Sequence, residues 1–152
     1  MNTQPNPAQL GASTEQNPIE RDELLKALNE LLEAERAGAR VTLETANQMA
    51  GQDLAPLVMD IQHDEVRWCK MLIGVIRVLG VAPSRMTGAF YEKAMAIKDI
   101  KERLLLINRG QGWVVRRLEK LIPHIESADI RAQLQEMLDA HILNIRRVEE
   151  LI

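Results

Sequence analysis

Aromatic residues are scarce in this chain of 152 residues, at 3% of positions. Hydrophobic residues nonetheless make up 46%, enough for a core. That core must therefore be built from Leu, Ile, Val, Met and Ala, which suits helix packing. Cysteine is nearly absent. Cys69 stands alone, which excludes a disulfide framework within the chain and points to a reducing compartment. A basic excess is also missing: 19 Lys and Arg against 22 Asp and Glu give a net charge of -3. Such a balance supplies no electrostatic footprint for nucleic acid. No run approaches the roughly 18 apolar residues that span a bilayer. The first residues have neither the basic start nor the apolar stretch of a secretory signal. These absences predict a cytoplasmic protein with no nucleic-acid and no membrane partner.

What is present fits one domain. Residues 1–18, rich in Asn, Gln, Pro, Ser and Thr, have little to bury and are expected to form a disordered tail. Residues 19–152 carry four stretches with the period of an amphipathic helix. The first is predicted from Pro18 to Asn47, with Asn17 as cap and Glu20 completing a capping box. Leu24, Leu28, Leu31, Leu32 and Gly38 mark its inner face. The second runs from about Leu54 to Leu79, capped by Asp53. The third begins between Thr87 and Met95 and ends at Pro123, and the fourth runs from about Ser127 to the C-terminus. Asn108, Gly110, Gln111 and Gly112 weaken the middle of the third, where a kink is expected.

The links before the second and fourth helices are short and demand antiparallel neighbours. The middle link, with Gly80, Pro83, Ser84 and Gly88, has roughly ten residues and could reach about 30 Å when extended. It can cross the length of the bundle and join two helical hairpins. An up-down-up-down bundle with a looser loop satisfies the same lengths.

The inner faces are aliphatic except near mid-helix. Glu35 interrupts the first, Asp64 and Glu65 the two ridges of the second, and His141 the fourth, with His63 beside Asp64. The third helix offers Asn108 and Gln111 at the comparable height. Buried carboxylates cost several kcal/mol unless paired or coordinated, so something must compensate them. A divalent iron, manganese or zinc ion is one answer, because carboxylate and imidazole suit all three. A network with Arg109, Arg36, Arg40 and Arg67 is the other, giving a non-catalytic structural or interaction bundle. Cys69 has no partner at catalytic spacing and reads as a small hydrophobe. Trp68 and Trp113 read as packing residues. Apolar flanks on the second helix point to self-association as a homodimer.

Three stretches resemble small uncharacterised bacterial ferritin-like domains over about residues 19–152. They are Leu31-Leu32-Glu33-Ala34-Glu35-Arg36-Ala37-Gly38, Ile61-Gln62-His63-Asp64-Glu65 and His141-Ile142-Leu143-Asn144-Ile145. The resemblance implies an all-α ferritin-like four-helix bundle, two antiparallel hairpins joined by a crossover. Members of that superfamily carry a glutamate on helices 1 and 3 and a Glu-x-x-His step on helices 2 and 4. They hold two iron or manganese ions and perform ferroxidase, oxygenase or peroxide chemistry. Glu35 matches the helix 1 glutamate. Asp60 with His63 has the helix 2 step, although Asp64 lies better on the core ridge. His141 matches the helix 4 histidine, but Leu138 stands where its glutamate belongs. Glu102 is off the buried line and about two turns early for helix 3. The resemblance thus implies a degenerate pattern, suited to one metal or to none. The expected ligands are Glu35, His63, Asp64, Glu65 and His141, with a small-molecule substrate of unassigned identity.

Overall fold

The structure, a computed structural model, describes residues 18–152. The expected tail and the Asn17 cap therefore lie outside the described residues, apart from Pro18. Five helices form: α1 (Arg21–Gln48), α2 (Ala55–Val78), α3 (Phe90–Met95), α4 (Ile100–Leu121) and α5 (Ala128–Leu151). Glu20 is itself the residue that precedes α1, with Asp22 and Glu23 favourably placed in the first turn against the helix dipole. Leu54, not Asp53, occupies the cap of α2 and makes no side-chain bond there; Pro56 fixes the first turn instead. Gly80 at φ 86° ends α2, its N–H donating to the Arg77 carbonyl while that of Val81 reaches Ile76.

The third long helix starts later than predicted. The Asp99 side chain accepts from the Glu102 N–H and sets the start of α4. The preceding apolar residues form the separate short helix α3, so Ile97 belongs to the connection and not to α4. Helix α4 runs unbroken from Ile100 to Leu121, through Asn108, Gly110, Gln111 and Gly112. Gly110 has a packing role instead, because a Cβ there would lie 3.2 Å from the Phe90 ring. Ser127 caps α5 by accepting from the Ile130 N–H, as its position predicts.

Contacts at the helix ends settle the topology. Arg21 near the start of α1 donates to the Leu79 carbonyl at the end of α2. Arg103 near the start of α4 donates to Gln48 at the end of α1. Arg147 late in α5 meets Asp60 early in α2. Helices α1 and α2 are therefore antiparallel, as are α1 and α4, and α2 and α5. The segment between α2 and α4 must cross the length of the bundle, which excludes up-down-up-down. It is fastened to α1 along its way. Asn29 accepts from the Ser84 N–H, Arg36 donates to the Ser84 and Met86 carbonyls, and Tyr91 donates to Glu44.

Buried apolar residues fall into separate groups. The largest joins Leu28 and Leu32 of α1, Leu72 and Ile76 of α2, Leu118 of α4 and Leu134 and Met137 of α5. Toward the other end, Val41, Val58, Leu104 and Ile107 form a second group, and Leu57, Ile61 and Val148 a third. The polar layer lies between them. Among the described residues no helix is long and apolar enough to cross a membrane.

Arg103 is 2% exposed, its fork closed on the Ile97 carbonyl, Thr45 and Gln48. It ties the crossover to the end of α1. Arg103→Ala is expected to lose about 3 kcal/mol, through both the cavity and the unpaired carbonyl it leaves. Urea unfolding with an unchanged slope checks this; a loss below about 1 kcal/mol would contradict it.

Candidate metal centre

Glu35 reaches the bundle centre because its position continues the inner line of α1 one turn beyond Leu31 and Leu32. It has no solvent exposure. Glu65 arrives from α2, four residues after Ile61, and His141 from α5, four residues after Met137. These two are 5% and 2% exposed. One ligand atom from each of the three residues lies within 4.8 Å of the others.

The histidine's hydrogen bonds define its tautomer. His141 Nδ1 lies 2.8 Å from the Met137 carbonyl oxygen. A carbonyl can only accept, so Nδ1 carries a proton. In the neutral imidazole Nε2 then presents its lone pair to the centre, 2.9 Å from Glu35 Oε1. A backbone carbonyl behind one nitrogen, with the other nitrogen free to coordinate, is the arrangement that orients metal-binding histidines. The Glu35–His141 contact also spans the bundle diagonal, between helices that are not direct neighbours.

Glu35 Oε2 is buried without a hydrogen-bond partner. Burial raises its carboxyl from the ordinary 4.5 to about 7, contact with Glu65 pulls it part way back, and Asp64 adds to the rise. Glu65 is also pushed well above the carboxylate range, first by burial and then by the Glu35 charge. Space for Glu65 comes from Gly38. A Cβ at position 38 would lie 2.6 Å from Glu65 Oε2. Glycine in mid-helix costs about 1 kcal/mol relative to alanine, and here it leaves room for a carboxyl group.

The arginines expected to neutralise this centre engage elsewhere. Arg36 bonds the crossover, Arg67 pairs with Glu136, and Arg40 stacks on Tyr91. Arg109 is exposed at the rim of a cavity. Among the described residues, Glu35 meets His141 through a hydrogen bond and makes no ion pair with an arginine. The arginine-neutralised bundle is therefore corrected: the central acids have no guanidinium partner.

Of the five residues singled out in the sequence, the structure brings Glu35, Glu65 and His141 together. His63 is exposed on the outer face of α2. Asp64 is half-buried beside the cluster, where it accepts from Asn144 Nδ2 at 2.9 Å. One helical step of 100° thus separates Glu65, which enters the centre, from Asp64, which supports its edge. Asp60 pairs with Arg147 at the surface, so the Asp60–His63 step does not enter the centre. Leu138 packs in the largest apolar group, and Glu102 is exposed.

A cavity of about 580 Å3 opens from the cluster toward α3 and α4. Gln111 lines it, 3% exposed, with Nε2 lacking a partner. Trp113, expected as a packing residue, is instead a half-open wall of this cavity, 38% exposed. Nothing in its local sequence separates it from a core position except its place one residue before Val114 on the inner line. Trp68 is buried, as expected. Burial pushes the half-buried Cys69 thiol up to about 12, so it is no nucleophile at neutral pH.

No curated protein matches this sequence. A solved structure described as "ferritin like, diiron-carboxylate proteins from Bacillus anthracis str. Ames" superposes with a TM-score of 0.78. It is 20% identical, over 88% of this chain and 99% of that one. That likeness shows the fold: an all-α ferritin-like bundle of two antiparallel hairpins joined by a crossover. The family described as "Domain of unknown function (DUF6306)" matches residues 22–150, so the chain belongs to that family.

Proposed function

We propose that Glu35, Glu65 and His141 hold one divalent transition metal, iron or manganese in preference to zinc, at an open site that serves redox chemistry on a small molecule. The observation that carries this reading is the convergence of three buried ligand atoms with no cation among the described residues to balance two carboxyl groups. The donor set fits. Two carboxylates and one imidazole suit these ions, and their summed charge balances one dication. The unpartnered Glu35 Oε2 supplies a free lone pair, and the absence of a side chain at Gly38 leaves room for the Glu65 carboxylate. The metal would supply electron transfer and Lewis acidity. His141 would be held in its coordinating tautomer by the Met137 carbonyl, and Asp64 and Asn144 would brace the edge. The diiron-carboxylate description of the similar Bacillus anthracis structure supports a metal in a bundle of this fold.

Protein purified without a histidine tag and loaded anaerobically with Fe(II) or Mn(II) is expected to retain about one equivalent by elemental analysis. Glu65→Gln should lose that metal yet be at least as stable without it at pH 8, because it removes a buried charge. Retention of metal by this variant, or no binding by the parent, would sink the reading. In the latter case shared protons alone satisfy the three side chains.

The pH dependence follows from the raised carboxyl groups. The folded state holds protons on Glu35 more tightly than the unfolded chain. Its stabilising contribution is therefore complete below about 4.5 and is lost as pH rises through about 7. Metal-free protein should lose about 3 kcal/mol across that interval. Glu65 acts in the same direction. Saturating metal should flatten the decline, since coordination replaces the proton. Thermal melts with and without metal from pH 5 to 8 would show both effects, and a metal-free protein stabilised by rising pH would contradict them.

Gly38→Ala separates helix from site. Alanine favours the helix by about 1 kcal/mol, but its methyl occupies the space of the Glu65 carboxylate. Metal affinity is expected to fall about tenfold or more, with a melting temperature that changes much less. A large loss of stability with unchanged affinity would assign Gly38 to packing alone.

A further inference from the structure

The cavity beside the cluster has features that a metal site does not need. Its volume of about 580 Å3 lies within the range of small-molecule pockets. Its walls are largely apolar, with Phe90 from α3 and Trp113 and Val114 from α4. The Phe90 ring rests on Gly110, the position where a side chain would push it away. At the buried end, the Gln111 amide nitrogen lacks an acceptor, and a buried donor left unpaired is costly. At the exposed end, the acidic wall residues are already engaged: Glu30 by Arg117 and Glu33 by the Ser84 hydroxyl. Lys93 and Arg109 are exposed there and make no ion pair with the described residues.

We propose that this cavity binds a small apolar carboxylic acid, its carboxylate at Lys93 and Arg109 and an oxygen at its far end accepting from Gln111 Nε2. Phe90, Trp113 and Val114 enclose the apolar body. Its inner end would stand beside Glu35 and His141, where a bound metal could reach it. Binding itself stands on the cavity and its polar groups, with or without the metal.

Chelator-treated protein titrated with 8-hydroxyoctanoate, octanoate and octan-1-ol separates these contacts. Calorimetry gives affinity, and Trp113 emission reports occupancy of the cavity. Octanoate should bind about tenfold more tightly than octan-1-ol, and Lys93→Glu with Arg109→Glu, both at exposed positions, should abolish that preference. The terminal hydroxyl of 8-hydroxyoctanoate should add about fivefold over octanoate in the parent and nothing in Gln111→Leu. Absence of binding by all three probes, equal affinity for acid and alcohol, or an acid preference that survives the double charge reversal would overturn the proposal. A hydroxyl advantage that persists in Gln111→Leu would overturn the inner contact. Because no metal is present, each of these failures is distinct from failure of the metal to bind.

Discussion

The desolvation of Glu35 governs the middle of this bundle. A carboxyl group with no solvent exposure, one turn from a pair of buried leucines, must be neutral or matched by positive charge. Its surroundings supply no arginine for the purpose; they supply a second carboxyl and an imidazole. Each of those needs its own accommodation. Glu65 takes the space above Gly38, and His141 is oriented from behind by a backbone carbonyl. Aliphatic groups on either side close the layer from both ends of the bundle. The result is a centre whose protonation is coupled to folding.

The crossover determines how that centre meets solvent. A direct hairpin would leave the segment between α2 and α4 at one end. Here it runs along α1, held by Asn29, Arg36 and Glu44. The cavity lies where this segment, α1 and α4 meet, and Gly88 and Gly110 are both part of its wall. Small residues at those points let the segment pass close to the helices while the space between remains open. Access is therefore lateral, through the side of the bundle, past Phe90 and Trp113.

Much of the fold was legible in helical periodicity and in the turn residues. Ser127 and Pro123 mark the turn into α5, and Gly80 closes α2. What misled was the local signal without its tertiary partner. The apolar residues from Phe90 to Ile97 look like the start of the third helix, but they pack on α1 as a separate turn, and Asp99 begins α4. The glycines near Gln111 suggest a weak helix, whereas Gly110 is set by the Phe90 ring, a contact distant in sequence. In the centre, the inner line identified Glu35 and His141. It could not choose between Asp64 and Glu65, which differ by one step on a broad buried face. His63 stays outside the centre because it lies two helical steps, about 200°, from Glu65 and so faces outward. Arg103 carried no sequence signal of its buried role, since its acceptors are a carbonyl and two side chains from other segments.

The missing carboxylates gain meaning from charge. Leu138 fills apolar space one turn before His141 on α5, and Gln111 faces the cavity with an amide. Two carboxylates with a neutral imidazole balance one dication; a second dication would bring two uncompensated charges into a low-dielectric layer. Asp64 does not remedy this, because Asn144 holds it at the edge and it remains partly open to water. On the one-ion reading, the Gln111 amide has a use of its own. An amide beside the centre adds a donor without adding charge, so it can engage a ligand oxygen while the metal's charge stays matched by Glu35 and Glu65. An amide that leaves no charge for a second dication would thus still orient a molecule next to one.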